Sequence, residues 1–293
     1  MRTRDIVELL VLAAFWGASF LFMRVAAPEF GPVALIFLRV LVATVVLIPV
    51  VMSKGELAQV RARWLPLLVV GMLNSALPFT FFAFATLSLT AGFTSVLNAT
   101  APLWSAVVAF VWLHAVLPRT RVFGLVLGFV GVAILVWGKI GFKDGGSGLA
   151  VVAALGATFC YGIAANFTKE KLAGVSALSI TAGSQLAASL VLAPLAYWFW
   201  PAHTPSPNAW VACLALGVIC TAVAYLLYFR LIAHVGASRA IAVTFLIPLF
   251  AILWGGVFLG EQLTINMIVG GLVILAGTAL SLGLISLGRL RPA

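Results

Sequence analysis

Residues 64–85 read WLPLLVVGMLNSALPFTFFAFA and residues 210–231 read WVACLALGVICTAVAYLLYFRL. At an offset of 146 residues, Trp64 falls on Trp210, Gly71 on Gly217 and Ala76 on Ala222. The offset continues without a gap through Ala91 and Ala237, Pro102-Leu103 and Pro248-Leu249, Gly124 and Gly270, and Gly131 and Gly277. Identities are few for so apolar a chain. The argument is the register, because span boundaries, an interfacial Trp and a mid-helix Pro coincide together. Upstream, Gly17-Ala18-Ser19-Phe20 matches Gly156-Ala157-Thr158-Phe159 at an offset of 139, which implies a longer loop between the sixth and seventh spans.

Composition says where such a duplicated chain lives. Hydrophobic residues make up 64% of its 293 positions and charged residues 8%, against about a quarter charged in soluble domains. Apolar runs bounded by charge, Pro or Gly predict spans near 6–27, 33–53, 64–86, 92–115, 120–138, 148–168, 177–199, 209–232, 238–259 and 265–287. Each approaches the roughly 20 residues that cross a bilayer. Barrel strands alternate, whereas these runs are apolar on every face, so the fold class is all-α, with ten transmembrane helices. The domains are two five-helix repeats, 1–143 and 144–293. Five is odd, so the second copy enters from the opposite side, an inverted-topology repeat whose ligand site lies near the midplane.

The net charge of +10 does not mark a nucleic-acid partner, because basic residues stand singly or in pairs between apolar runs rather than on one face. Arg2, Arg4, Lys54, Arg61, Arg63, Arg119, Arg121, Lys169, Lys171, Arg230, Arg239, Arg289 and Arg291 fall in loops or tails on the amino-terminal side, and only Lys139 and Lys143 fall opposite. By the positive-inside rule both termini are cytoplasmic, as for a protein of a bacterial inner membrane. Val25-Ala26-Ala27 imitates a signal-peptide cleavage site, but Pro28 follows and Arg24 interrupts the approach, so retention is expected. Trp64, Trp112, Trp137, Trp198, Trp200 and Trp210 sit near span ends, where indoles favour the headgroup level. Cys160, Cys213 and Cys220 are isolated within spans and read as packing residues. Neither metal-ligand spacing nor a cofactor motif occurs, and the phosphate loop GxxxxGK[ST] is absent, so no ATPase is encoded here.

Phe15-Trp16-Gly17-Ala18-Ser19-Phe20, Pro32 and Arg39, and the block from Gly236-Ala237-Ser238 through Pro248, Gly260-Glu261 and Gly270-Gly271 to Gly277, resemble the EamA repeats of the drug/metabolite transporter superfamily. The resemblance covers nearly the whole chain, and its size and aromatic content are similar to those of YddG-type amino-acid exporters. The first copy has His114-Ala115 where the second has Gly260-Glu261. The resemblance implies a central cavity lined by spans one to four and six to nine, with spans five and ten outside as support. It also implies export of amino acids and other metabolites.

The residues themselves point the same way. Asp5, Glu8, Glu29, Glu56, Asp144, Glu170 and Glu261 all map to loops or terminal turns. A pump for cationic drugs needs a membrane-buried acid, so the expected cargo is a small neutral or zwitterionic molecule. Thr221, Tyr225 and Tyr228 form one helical stripe, and Ser75, Phe79 and Phe82 form its repeat partner beside Asn74. Plain packing also produces aromatic stripes, but polar tips facing lipid are expensive. Asn74, Ser75, Phe79, Tyr225 and Tyr228 from the stripes, joined by Trp16 and Ser19 in span one, Asn98 and Trp104 in span four, Tyr161 in span six and Gln185 in span seven, make the candidate substrate-binding set; Ser105 shares the Asn98 face of span four, and span nine carries Thr244. Each deep indole N–H needs a partner, and the amides can instead bridge helices. Pro78, Pro102 and Pro248 are candidate helix breaks. Arg39, roughly 10 Å below the boundary at 1.5 Å per residue, either pairs with a substrate carboxylate or reaches to the headgroups; Arg24 is expected to snorkel. Gly124, Gly128, Gly131, Gly270 and Gly277 read as close packing of spans five and ten.

A secondary carrier working by alternating access fits these features best, and oligomeric state is not encoded. The alternative, a membrane enzyme acting on lipid-linked substrates, needs clustered acids, His or Cys. The charge asymmetry makes one direct prediction: a reporter fused at either terminus reads cytoplasmic, and a periplasmic reading at either end refutes the topology.

Overall fold

The computed structural model describes residues 3–138, 147–236 and 240–284. Ten apolar helices follow in chain order: α1 (Thr3–Phe30), α2 (Pro32–Ser53), α3 (Trp64–Ala85), α4 (Ala91–Leu113), α5 (Arg119–Val136), α6 (Gly148–Lys171), α7 (Ala177–Trp198), α8 (Pro207–Val235), α9 (Val243–Leu259) and α10 (Ile265–Ser281). The first eight are long and apolar enough to cross a membrane, while α9 and α10 are shorter, at 17 residues each. A short helix, Leu57–Ala62, joins α2 to α3. Arg2, Lys139, Lys143, Arg239, Arg289, Arg291, Ala237-Ser238 and the 143/144 boundary lie outside the described residues.

Helix ends are fixed by capping. Thr90, Ser176, Ser206 and Thr264 each accept a backbone N–H in the first turn of α4, α7, α8 and α10, an interaction worth about 1 kcal/mol. Carboxylates tie some of these caps to other helices. Glu29 accepts from the Ser206 hydroxyl at 2.8 Å, and Glu56 accepts from the hydroxyls of Ser176 and Ser179 at the opposite end of the bundle. α1 therefore finishes at the end where α6 begins, and the halves run in opposite directions.

Packing follows a pseudo-two-fold exchange of halves. α2 lies along α7 and α5 along α10, while α1 packs on α8 and α9 as α6 packs on α3 and α4. Close backbone approach locates the axis. A Cβ at Gly17 would lie 2.7 Å from Phe250 Cβ and 2.9 Å from Ala251 N; one at Gly162 would lie 2.8 Å from Trp104 C and 2.9 Å from Ser105 N. Trp104 and Ser105 are the repeat mates of Phe250 and Ala251, so Gly17 corresponds to Gly162 at an offset of 145. This corrects the offset of 139 and removes the long loop it required. Gly156 meets nothing closer than the Phe81 ring at 3.6 Å; its likeness to Gly17 is one of small-residue composition.

One end of the bundle is latched. Gly260 adopts φ +64 at the end of α9, a left-handed turn that folds Glu261 back so that its carboxylate accepts from Ala91 N at 2.9 Å and Gly92 N at 3.4 Å. An anion at a helix N-terminus is favourable. Arg24, expected to snorkel, donates to the carbonyls of Thr86 and Leu87 at this end of the bundle and comes within 3.9 Å of Glu261. His114 takes the same left-handed turn at φ 49, but Ala115 supplies no carboxylate.

α5 and α10 meet through glycines. A Cβ on Gly277 would lie 2.3 Å from Gly128 N, and one on Gly124 2.6 Å from Ser281 N, whereas one on Gly271 would meet Val96 at an ordinary 3.5 Å. Gly277→Ala should therefore destabilise purified protein by about 1–3 kcal/mol, the range for overpacking. Gly271→Ala should hold or raise the melting temperature, and equal melting of the two variants would contradict this contact.

Candidate functional site

A helix in hydrocarbon must satisfy its own backbone, so departures from the α ladder mark places with other partners. α3 and α8 both depart from it. Met72–Ala76 and Val218–Val223 are π-helical, and Met72 and Val218 are separated by the repeat offset. Such bulges favour functional positions. Pro78 follows the first bulge, but its mate Ala224 follows the second, so proline is not the cause. Both bulges adjoin a close approach and a hydrogen bond to the other half. Gly71 comes against Ser184 in α7, and Gly217 against Val42 and the Arg39 carbonyl in α2. Gln185 Nε2 donates to Ser75 Oγ at 3.0 Å, and Arg39 Nε donates to Thr221 Oγ1 at 2.9 Å.

α4 breaks outright, with helical segments Ala91–Asn98 and Ala101–Leu113 separated at 99–100 and Pro102 in the first turn of the second. α9 runs through Pro248 without a break, which corrects the expected symmetry of the two prolines.

Between these altered helices lies a cavity of about 420 Å³, within the usual range for small-molecule sites. Its wall takes Trp16, Ser19, Phe20 and Met23 from α1, Arg39 from α2, Asn74, Phe79 and Phe82 from α3, and Asn98, Ala101, Pro102 and Ser105 from α4. Tyr161 and Ala165 come from α6, Tyr225 and Tyr228 from α8, Thr244 and Ile247 from α9, and Ile241 and Leu282 from flanking turns. α7, expected on the wall, contributes nothing, while the turn after α10 does. Ile241 and Leu282 lie at the end opposite the Glu261 latch, so the cavity extends toward the end that carries the amino terminus.

Two aromatic trios face this space. Trp16 packs on Tyr225 and Tyr228 at centroid distances of 6.0 and 5.1 Å. Tyr161 packs on Phe79 and Phe82 at 6.5 and 6.0 Å. Phe79 and Phe82 are the mates of Tyr225 and Tyr228, and Trp16 and Tyr161 are mates at the offset of 145, so one arrangement occurs twice. Arg39 breaks the symmetry, its Cζ lying 3.7 Å over the Phe79 ring.

Of the candidate residues, Trp16, Ser19, Arg39, Asn74, Phe79, Asn98, Pro102, Tyr161, Tyr225 and Tyr228 line one cavity. Ser75 and Gln185 are buried and bond to each other away from it. Trp104 lies off the wall, between Phe129 and Phe159, and its indole N–H lacks the expected partner. Pro78 and Pro248 are also off the wall. Phe20, Met23, Phe82, Ala101, Ser105, Ala165, Ile241, Thr244, Ile247 and Leu282 also line the wall, outside the candidate set; the sequence carried a signal for Phe82 on the α3 stripe and for the polar Ser105 and Thr244 within spans four and nine. Asn166 bridges helices, donating to the Ser105 and Gly162 carbonyls at 2.9 Å.

A family model described as the EamA-like transporter family matches residues 6–137 and 148–283. The chain belongs to that family of membrane transporters, which are not enzymes. Among similar proteins, an uncharacterized transporter of Bacillus subtilis, YvbV, is 27% identical over 287 residues, covering 95% of this chain and 92% of its own. A probable terminal-alkyne amino-acid exporter of Streptantibioticus cattleyicolor is 26% identical over 298 residues, covering 100% and 98%. A crystal structure 17% identical to this chain superposes with a TM-score of 0.65 over 97% of this chain and 99% of that one, a likeness of fold.

The wall makes an accessibility prediction. In a protein lacking Cys160, Cys213 and Cys220, single cysteines replacing Asn98 or Tyr225 react with a hydrophilic thiol reagent added from the amino-terminal side, whereas one replacing Ser75 stays protected. Protection of positions 98 and 225 would contradict a water-accessible cavity.

Proposed function

We propose that this transporter is a secondary carrier that exports small neutral or zwitterionic metabolites, above all amino acids including aromatic ones, by alternating access around the midplane cavity. The observation that carries this reading is the doubled aromatic box. Three tyrosines, two asparagines and one arginine share the wall with Trp and Phe, a mixture that suits an amphipathic molecule of amino-acid size. Among the described residues no carboxylate lines it, which disfavours organic cations as cargo. The S. cattleyicolor relative supports the amino-acid class. With both termini cytoplasmic by the charge rule, the described conformation opens inward and the Glu261 latch closes the outer face.

Purified protein in liposomes should accelerate counterflow of labelled L-phenylalanine or L-threonine. Tyr225→Ala and Asn98→Ala should each lower that flux roughly tenfold, as expected for loss of about 1.4 kcal/mol of interaction, with unchanged elution on size exclusion. A broad panel of amino acids and small metabolites without protein-dependent flux would sink the reading.

A further inference from the structure

Arg39 is 4% exposed and sits on the cavity wall. Its Nε donates to Thr221 Oγ1, its Nη1 hydrogen-bonds among the described residues only to Met23 Sδ, at 3.9 Å, and its Cζ lies 3.7 Å over the Phe79 ring. Among the described residues no carboxylate lies within ion-pair distance of it. A buried guanidinium without a counter-anion is expensive, so the fold needs a reason to keep it.

The repeat supplies an internal control. Gln185 stands 146 residues on, in the matching helix, and makes the matching bond to Ser75, the mate of Thr221. It is fully buried and off the cavity wall. Holding the hydroxyl of a π-helical segment therefore requires only a neutral N–H donor. The charge of Arg39 is surplus to that role, and it occurs at the mate that meets the cavity.

We infer that Arg39 is the anion-binding point of the cavity and that the cargo brings a carboxylate to it, an inference that rests on the carrier reading above. The Nη groups can present a bidentate fork to a carboxylate. The Phe79 ring, 3.7 Å from Cζ, supports the charge by cation–π contact. An amine or amide of the same size fills the aromatic box but leaves the charge unpaired.

The test uses the full-length protein with L-phenylalanine, 3-phenylpropionate and L-phenylalaninamide, read both as a ligand-induced melting shift and as competition in counterflow. Both acids should stabilise the wild type, and the amide should need about tenfold more to compete, the ratio of a 1.4 kcal/mol difference. Arg39→Gln copies the mate, keeping a donor for Thr221, and should fold while the acid-over-amide ratio falls to near one. Arg39→Lys should keep a weaker preference for the acids. Equal potency of amide and acid on the wild type, no stabilisation by either acid, or a ratio preserved in Arg39→Gln each overturn the assignment. Where Arg39→Gln fails to fold, the wild-type ranking decides. Flux without acid preference overturns only Arg39, whereas acid stabilisation without flux from any of the panel overturns the carrier reading.

Discussion

Hydrocarbon offers no hydrogen bonds, so a helix that relaxes its ladder inside a membrane must be given partners by the protein or by water in a cavity. That constraint organises this structure. The widened turns of α3 and α8 are each met by a donor from the opposite half, Gln185 on Ser75 and Arg39 on Thr221. Gly71 and Gly217 let the backbones close enough for those bonds to form. Directly after the relaxed turns come the aromatic residues of the cavity, so the widening and the binding surface are parts of one device used twice.

Much of this was legible in the sequence. Uniform apolarity with period-free runs marked the helices, and the offset of 146 marked the repeat, because Gly71 does a job that survives duplication at Gly217, admitting a close approach from the other half. Of the stripe Thr221, Tyr225 and Tyr228, the two tyrosines lie on the cavity wall. The register of α1 and α6 was not legible, since Gly-Ala-Ser-Phe and Gly-Ala-Thr-Phe are similar strings in a chain full of small residues. Only the approach of Gly17 and Gly162 to the facing backbones distinguishes the true pairing. Ser75 and Gln185 looked like binding residues because composition cannot tell a polar side chain facing water from one consumed by another. Trp104 misled for a related reason, since its ring is packed between phenylalanines.

The halves share a frame and differ in chemistry. Gly260 and His114 make the same left-handed turn, yet only the former delivers a carboxylate to a helix N-terminus. That contrast accounts for a bundle fastened at the Glu261 end and hollow toward the other. Gly255 makes room for the carboxylate, where a Cβ would lie 2.3 Å from Glu261 Oε2.

Such editing bears on energetics. Were the two copies identical, rotation about the axis would convert one facing into the other, and both would be equally populated whatever the depth of the barrier. The two copies are not identical, and Glu261 against Ala115 and Arg39 against Gln185 are positions where a charge stands in one copy and none in the other. The duplication supplies two like frames, and the positions at which they differ make the two ends of the bundle unlike.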